Sequence, residues 1–165
     1  MILAPSVAIA IEAKYTEPAY ERVDAWLHEP RDQNRCDVLG GWLDMIHGAT
    51  GIKLTIDPIL HLPYQLIHRA ASACFPPAVH RAVLYQLFDV THRDRHLDEL
   101  RNFRALLPAP SLKLGVLTTP TAPSEVYAGL LARWNAGERT MAHAVRSALL
   151  EGEILRFEEP SLFLA

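Results

Sequence analysis

The chain predicts a mixed α/β domain, a small sheet of mixed strand direction flanked by helices. Three observations carry that prediction. Apolar runs of strand length alternate with longer stretches whose apolar residues recur every three or four positions, the order that layers helices against a sheet. The first run, Ser6–Tyr15, is apolar on both alternating faces until its polar end, as in a strand covered on both sides. Half of the 165 residues are apolar and 21% are charged, enough for one hydrophobic core and too few for two ordinary domains.

The elements follow in order. In Ser6–Tyr15, Val7, Ile9 and Ile11 alternate with Ala8, Ala10 and Glu12, and Pro18 closes the strand. Tyr20, Val23, Trp26 and Leu27 fall at helical spacing, and Pro30 ends that helix. Val38, Leu39, Trp42, Leu43 and Ile46 mark a second helix, against which Gly40 and Gly41 weigh. Ile59–Phe75 is a third, with Leu62, Leu66, Ile67, Ala70 and Ala71 on one side, Pro63 in its first turn and Pro76–Pro77 stopping it. Val79–Phe88 is a second strand, Asp94–Leu107 an amphipathic helix and Lys113–Thr118 a third strand. Thr119–Pro123 is a connector, and Ser124–Asn135 and Arg139–Leu150 are two further helices broken at Gly137. Two strands and the 94–107 helix must share one core, so Val7, Ile9, Ile11, Leu84, Leu100 and Phe103 are expected to be buried together.

Composition excludes a disordered tail and a collagen-like fibre. No apolar run approaches the roughly 18–20 residues of a membrane span, so no membrane partner is expected. The Met1–Ile11 stretch has neither a basic lead nor a small-residue cleavage site and so does not read as a signal peptide. Cys36 and Cys74 give no disulfide framework, and a cytoplasmic location is the expectation. Net charge is −3, distributed unevenly. Residues 1–60 hold five Lys/Arg against nine Asp/Glu, whereas 61–104 hold six against four together with five of the eight histidines. A mildly basic, His-rich middle is compatible with a metal site beside a phosphate-facing surface, and equally with a solvated mixed surface.

The chemistry concentrates in Ile11-Glu12-Ala13-Lys14-Tyr15. Side chains at i and i+2 of a strand share a face, about 7 Å apart at their Cα atoms, so Glu12 and Lys14 project side by side beyond the small Ala8 and Ala10. A carboxylate that holds Mg²⁺ and an ammonium that offsets charge on a phosphoryl group suit metal-assisted phosphodiester hydrolysis. The competing reading is an ion pair at an exposed strand end, worth under about 1 kcal/mol.

Ile-Glu-Ala-Lys-Tyr-Thr-Glu-Pro, from 11 to 18, resembles the E-x-K half of the PD-(D/E)xK nuclease superfamily, and is closer to restriction-endonuclease-like members that read hydrophobic-Glu-x-Lys-Tyr-Thr-Glu. Leu62-Pro63-Tyr64-Gln65-Leu66-Ile67-His68-Arg69 is a second point of similarity, since several branches place a glutamine near the metal on a helix after the E-x-K strand. The similarity covers roughly Val7–Thr118. It implies a restriction-endonuclease-like core with extra C-terminal helices, one domain over 1–165 in which 120–165 is a helical appendage. It also implies a Mg²⁺- or Mn²⁺-dependent DNA endonuclease with Glu12 as metal ligand, Lys14 as electrostatic and water-positioning residue and Gln65 as supporting polar group. DNA is the implied partner, and a homodimer is compatible with it. The family's metal-binding aspartate, on the strand before E-x-K, has no counterpart in Met1–Ser6. Three explanations stay open: a missing N-terminal part, a degenerate relative, or an aspartate supplied another way. The alternative function is a non-catalytic nuclease-fold relative that acts as a nucleic-acid or protein interaction module.

The remaining polar residues give weaker signals. Gln65, His68 and Arg69 share a helix face and could line a phosphate-facing groove, though His68 and Arg69 read more simply as solvated. His92 and His96 lie at i, i+4 without an evident third zinc ligand, and a solvated helix start accounts for them better. Trp26, Trp42 and Trp134 fall in apolar helical stripes and are expected in the core rather than stacked on bases.

Overall fold

The structure is a computed structural model and describes residues 1–14, 21–28, 30–151 and 155–165. Tyr15, Pro18 and Tyr20, and with them the Tyr-Thr-Glu-Pro end of the E-x-K stretch, lie outside the described residues. The architecture is mixed α/β. In chain order the elements are β1 (Ile2–Ala4), β2 (Val7–Lys14), α1 (Val23–Leu27), α2 (Gln33–Thr50), α3 (Tyr64–Cys74), β3 (His80–Leu87), α4 (Arg93–Leu106), β4 (Leu112–Thr118), β5 (Thr121–Pro123), α5 (Glu125–Asn135), α6 (Ala142–Glu151), β6 (Leu155–Phe157) and β7 (Ser161–Leu164). Five strands form one sheet in the order β1-β2-β3-β4-β7, and β5 and β6 pair antiparallel beside it. β2, β3 and β4 run parallel; the edge strands β1 and β7 run antiparallel to their neighbours.

Local chemistry sets several boundaries. Asp32 caps α2, its carboxylate accepting from the Asn34 and Arg35 amides, and Gly51 ends that helix in the left-handed region at φ 74°. Gly40 and Gly41, which weighed against α2, lie inside it with open space around them. Pro63 sits one residue before α3, where a missing N–H costs nothing, and Ser124 caps α5.

Two crossover connections determine where the helices go. The chain passes from β2 through α1–α3 to the adjacent parallel β3, then through α4 to the adjacent parallel β4. Parallel crossovers are right-handed, and two such steps in the same direction deposit their helices on the same side of the sheet. α3 accordingly packs on β2 and β3, α4 on β4, and α2 on α3. The core is the space between: Leu39, Leu43, Ile46, Leu66, Ile67, Ala70, Leu100 and Phe103 from the helices meet Ala10, Val83, Tyr85, Leu87, Leu114 and Val116 from the strands.

That single-sided layer corrects the expected core. Leu100 and Phe103 are fully buried, but Val7, Ile9, Ile11 and Leu84 point to the other face and are only half-buried. The strand was expected to be covered on both sides; the described helices cover one. The C-terminal region also departs from expectation. Thr121–Pro123, expected to be a connector, is a strand, and the last strand β7 returns to the main sheet beside β4. Gly115 permits that return, because a Cβ there would stand 2.9 Å from the Phe163 carbonyl oxygen. Trp134 is 49% exposed with the Arg139 guanidinium over its ring, not in the core as expected.

Candidate functional site

β2 is an interior strand of the sheet, and its residues alternate strictly in burial. Ala8, Ala10, Glu12 and Lys14 face the helices, and the two charged residues are each 8% exposed. Small alanines on this face leave α3 room to lie close to the strand. Glu12 Oε1 lies 3.3 Å from Lys14 Nζ, and Glu12 Oε2 accepts from Arg69 Nε at 2.5 Å. The expected shared face is therefore observed, but the pair is enclosed rather than open to a cleft. An exposed strand-end pair, the competing expectation, is not what forms.

Arg69 did not stand out in the sequence as more than a solvated residue. The apolar face of α3, built from Leu66, Ile67, Ala70, Ala71, Ala73 and Cys74, turns to the sheet and brings the border position 69 onto Glu12. Gln65 lies one turn earlier on the same face. Since α3 runs back antiparallel to β2, that turn is toward the Lys14 end of the strand. Gln65 Nε2 donates to Tyr64 Oη at 3.4 Å, and Gln65 Oε1 is buried with no hydrogen-bond partner.

The neighbouring strand adds a residue that the sequence did not single out. Tyr85 is the register partner of Glu12, faces the same way, is fully buried, and its hydroxyl has no hydrogen-bond partner. Burial first, and then the negative charges of Glu99 and Glu12, push its phenol well above the ordinary range, with Arg69 opposing. His96 packs edge-on against the Tyr85 ring at 5.2 Å and places Nδ1 3.1 Å from Glu99 Oε2. Arg95 Nε donates to the other Glu99 oxygen at 3.1 Å. Burial raises the Glu99 carboxyl, but the hydrogen bonds and charges of His96 and Arg95 outweigh it and hold the group below its usual range. His96 is thus buried, correcting the expectation of a solvated helix start; His92, one turn away, is exposed as expected.

His68 is likewise not simply solvated. It is half-buried and lies 4.9 Å from Trp42, at the end of a row in which Trp42 stacks on Trp26 and Trp26 on Tyr64. Burial, then the Arg69 charge, lowers its pKa, with Glu12 opposing. Trp26 and Trp42 pack against the core from partly buried positions.

The donors around Glu12 are the test of a magnesium ion. Mg²⁺ takes oxygen ligands, one or two carboxylates with the rest from water and substrate. Glu12 supplies one carboxylate, and the unpartnered Gln65 Oε1 and Tyr85 hydroxyl are buried oxygens of the required kind. Glu12 meets the lower limit of that requirement only once a cation now on its oxygens, Arg69 or Lys14, moves away. Among the described residues no group of three or more His, Cys, Asp or Glu is placed to hold a metal ion.

A family model described as a domain of unknown function, DUF6946, matches residues 2–138. The chain belongs to the DUF6946 family. No curated protein and no solved structure matches it. The DUF6946 region runs from β1 through α5 and contains Glu12, Lys14, Gln65, Arg69, Tyr85, His96 and Glu99; α6, β6 and β7 lie beyond it. No helix among the described residues of this DUF6946 protein is long and apolar enough to cross a membrane.

Proposed function

We propose that the domain is a PD-(D/E)xK-type, metal-dependent DNA nuclease of which this chain carries the E-x-K half. The observation that carries the reading is the burial of Glu12 and Lys14 on one face of an interior strand, followed by a helix that brings Gln65 and Arg69 to that face. Glu12 would hold Mg²⁺, with Gln65 from the facing helix as a supporting oxygen, and the ion would supply Lewis-acid activation of water and of a phosphoryl oxygen when bound. Lys14 offsets charge gathering on the phosphate. Arg69 must release one Glu12 oxygen for an ion to enter, and once released it is a second cation for the phosphate. The enclosure of the pair keeps the local dielectric low, so the Lys14 charge acts more strongly than it would in water, and that of the partly exposed Arg69 less so.

The nuclease reading calls for an aspartate near Glu12, and the register of the first hairpin gives the position at which an extended β1 would present one. Ala4 pairs with Val7, Leu3 with Ala8 and Ile2 with Ile9, so continuing β1 backward sets the second residue ahead of Met1 opposite Glu12. An aspartate there would share Glu12's face.

The test is digestion of plasmid and single-stranded DNA with Mg²⁺ or Mn²⁺, with and without chelator. It compares the 165-residue chain with a longer one carrying that aspartate. Weak or no cleavage is expected from the former and chelator-sensitive cleavage from the latter, abolished by Glu12→Gln and suppressed by Lys14→Ala. Cleavage indifferent to chelator or to Glu12→Gln would sink the reading. A second reading, a non-catalytic nucleic-acid-binding module, is favoured by the two cations already set on the Glu12 carboxylate. An inert longer chain that still binds DNA with a steep salt dependence would select it.

A further inference from the structure

A polar pocket of about 320 Å³ lies beside the Glu12 site, lined by Arg22, His61, Leu62, Pro63, Arg95, Glu99 and Asn102. Its position follows from the fold. α4 contributes Arg95, Glu99 and Asn102, spaced four and three residues apart and so on one helix face. The backbone bridge between Arg22 and Pro63 fixes the opposite wall just ahead of α3. Glu99 is shared: it lines the pocket and bonds His96, which packs on Tyr85, the register partner of Glu12. α3 and α4 both run back from the carboxyl ends of parallel strands, the end of an α/β sheet at which ligands bind.

The charges in the pocket are unbalanced. Among the described residues no carboxylate pairs with Arg22 or His61, and Glu99 is the one acid in the lining, already held by Arg95 and His96. Two arginines, a histidine and an asparagine line the space beside Glu99, and the rest of its wall, Leu62 and Pro63, is apolar. Arginine forks and an amide are the donors that proteins set on phosphate oxygens, and an apolar wall suits the carbons of a sugar. The volume is at the small end of the about 300–1,000 Å³ typical of small-ligand pockets, the size of one nucleotide rather than of a duplex.

We infer that this pocket binds the phosphate of a single nucleotide unit, through Arg22, His61, Arg95 and Asn102. The inference rests in part on the nuclease reading, since a strand seated here would pass toward Glu12. The phosphate has two sources, a free mononucleotide or a unit of a single strand, and the experiment separates them. Deoxyadenosine monophosphate, deoxyadenosine and a six-nucleotide single strand are titrated calorimetrically into the full chain in chelator, with the wild type, Arg22→Ala/His61→Ala and Glu12→Gln compared. The monophosphate is expected to bind and the nucleoside not. The double variant should lose about tenfold or more in affinity, the effect of deleting a charged hydrogen bond. Glu12→Gln, outside the pocket lining, should bind the monophosphate as the wild type does, and a loss there would overturn the inference. A strand that binds more tightly than the monophosphate through the same residues assigns the pocket to the strand, and the reverse assigns it to the free nucleotide. Equal binding of nucleoside and monophosphate, unaltered affinity in the double variant, or no binding of either phosphate would overturn the inference. Phosphate binding lost in the double variant, in a chain that no added aspartate makes able to cleave DNA, keeps the pocket and discards the nuclease. Cleavage with a KM unaffected by Arg22→Ala/His61→Ala discards the pocket alone.

Discussion

The two faces of the main sheet receive nearly the same amino-acid types and meet different fates. On one, Ala10, Val83, Tyr85, Leu87, Leu114 and Val116 are sealed under α3 and α4, and the buried charges sit among them. On the other, Val7, Ile9, Ile11, Leu84 and Leu117 are half-buried, and Ile2, Leu162 and Leu164 at its borders are 53%, 57% and 66% exposed. Side-chain hydrophobicity does not distinguish the faces. The direction of two successive crossovers does, by sending every crossover helix the same way. Only the covered face can lower the dielectric around Glu12 and Lys14, so the candidate site and the helical layer have one origin.

Stability measurements sharpen the contrast. Phe103→Ala, in the sealed layer, should cost about 3–5 kcal/mol in chemical denaturation, as large-to-small changes in a packed core do. Ile9→Ala on the open face should cost well under half of that, because its side chain has less contact to lose. Equal losses would mean that both faces are covered in solution. Arg69→Ala comes next. It leaves the buried Glu12 carboxylate short of a partner and should cost about 2 kcal/mol, below the 3–5 of a fully buried pair because the Arg69 side chain is 33% exposed. Arg69→Lys should recover part of it.

Smaller effects probe single groups of the covered side. Tyr85→Phe removes a buried hydroxyl without a partner and should be neutral or stabilising by about 1 kcal/mol in thermal melts; a clear loss would reveal a ligand on that oxygen. Cys74, whose thiol burial pushes up to about 11 against the opposing charge of Arg81, should resist alkylation at pH 8 in the folded chain and react freely in denaturant. His68 supplies the mildest test. Its pKa is lowered on folding, so the unfolded chain takes up a proton first as pH falls. Its contribution is complete above the unfolded value of 6.5 and is lost as pH drops through the lower folded value. His68→Gln should flatten the stability profile in that range.

What the sequence could reveal divides along physical lines. Period-two and period-three-to-four patterns depend on neighbours in the chain, and they placed β2, β3, β4 and α4 to within a residue or so. The helix expected from Ile59 starts only at Tyr64, after a separate turn at Asp57–Ile59, and α2 runs beyond the stripe from Val38 to Ile46 at both ends. The shared face of Glu12 and Lys14 came from the same local rule. Arg69 lies 57 positions from Glu12, and Tyr85 meets it only through strand register; no chain-local pattern encodes either distance. The short strands β1, β5, β6 and β7 were missed because three or four residues carry too little alternation to read, and pairing with a partner is what makes them strands. The half-open face of β2 was missed because its alternation is apolar on both sides, whereas the choice of side belongs to crossover handedness.

β7 has a consequence for how the chain is made. It pairs with β4 from 43 or more residues further along, after α5, α6 and the β5–β6 ribbon have intervened. During synthesis β4 can dock on β3 as soon as α4 has formed, and it then presents an unpaired row of backbone donors and acceptors until the tail emerges. Of the main-sheet pairings, that of β4 with β7 is the one whose second strand is synthesised last, and so it forms late. The four residues Ser161–Leu164 therefore act as a self-supplied stopper on an adhesive edge, and a chain cut after residue 138 would carry that edge uncovered into a crowded cell.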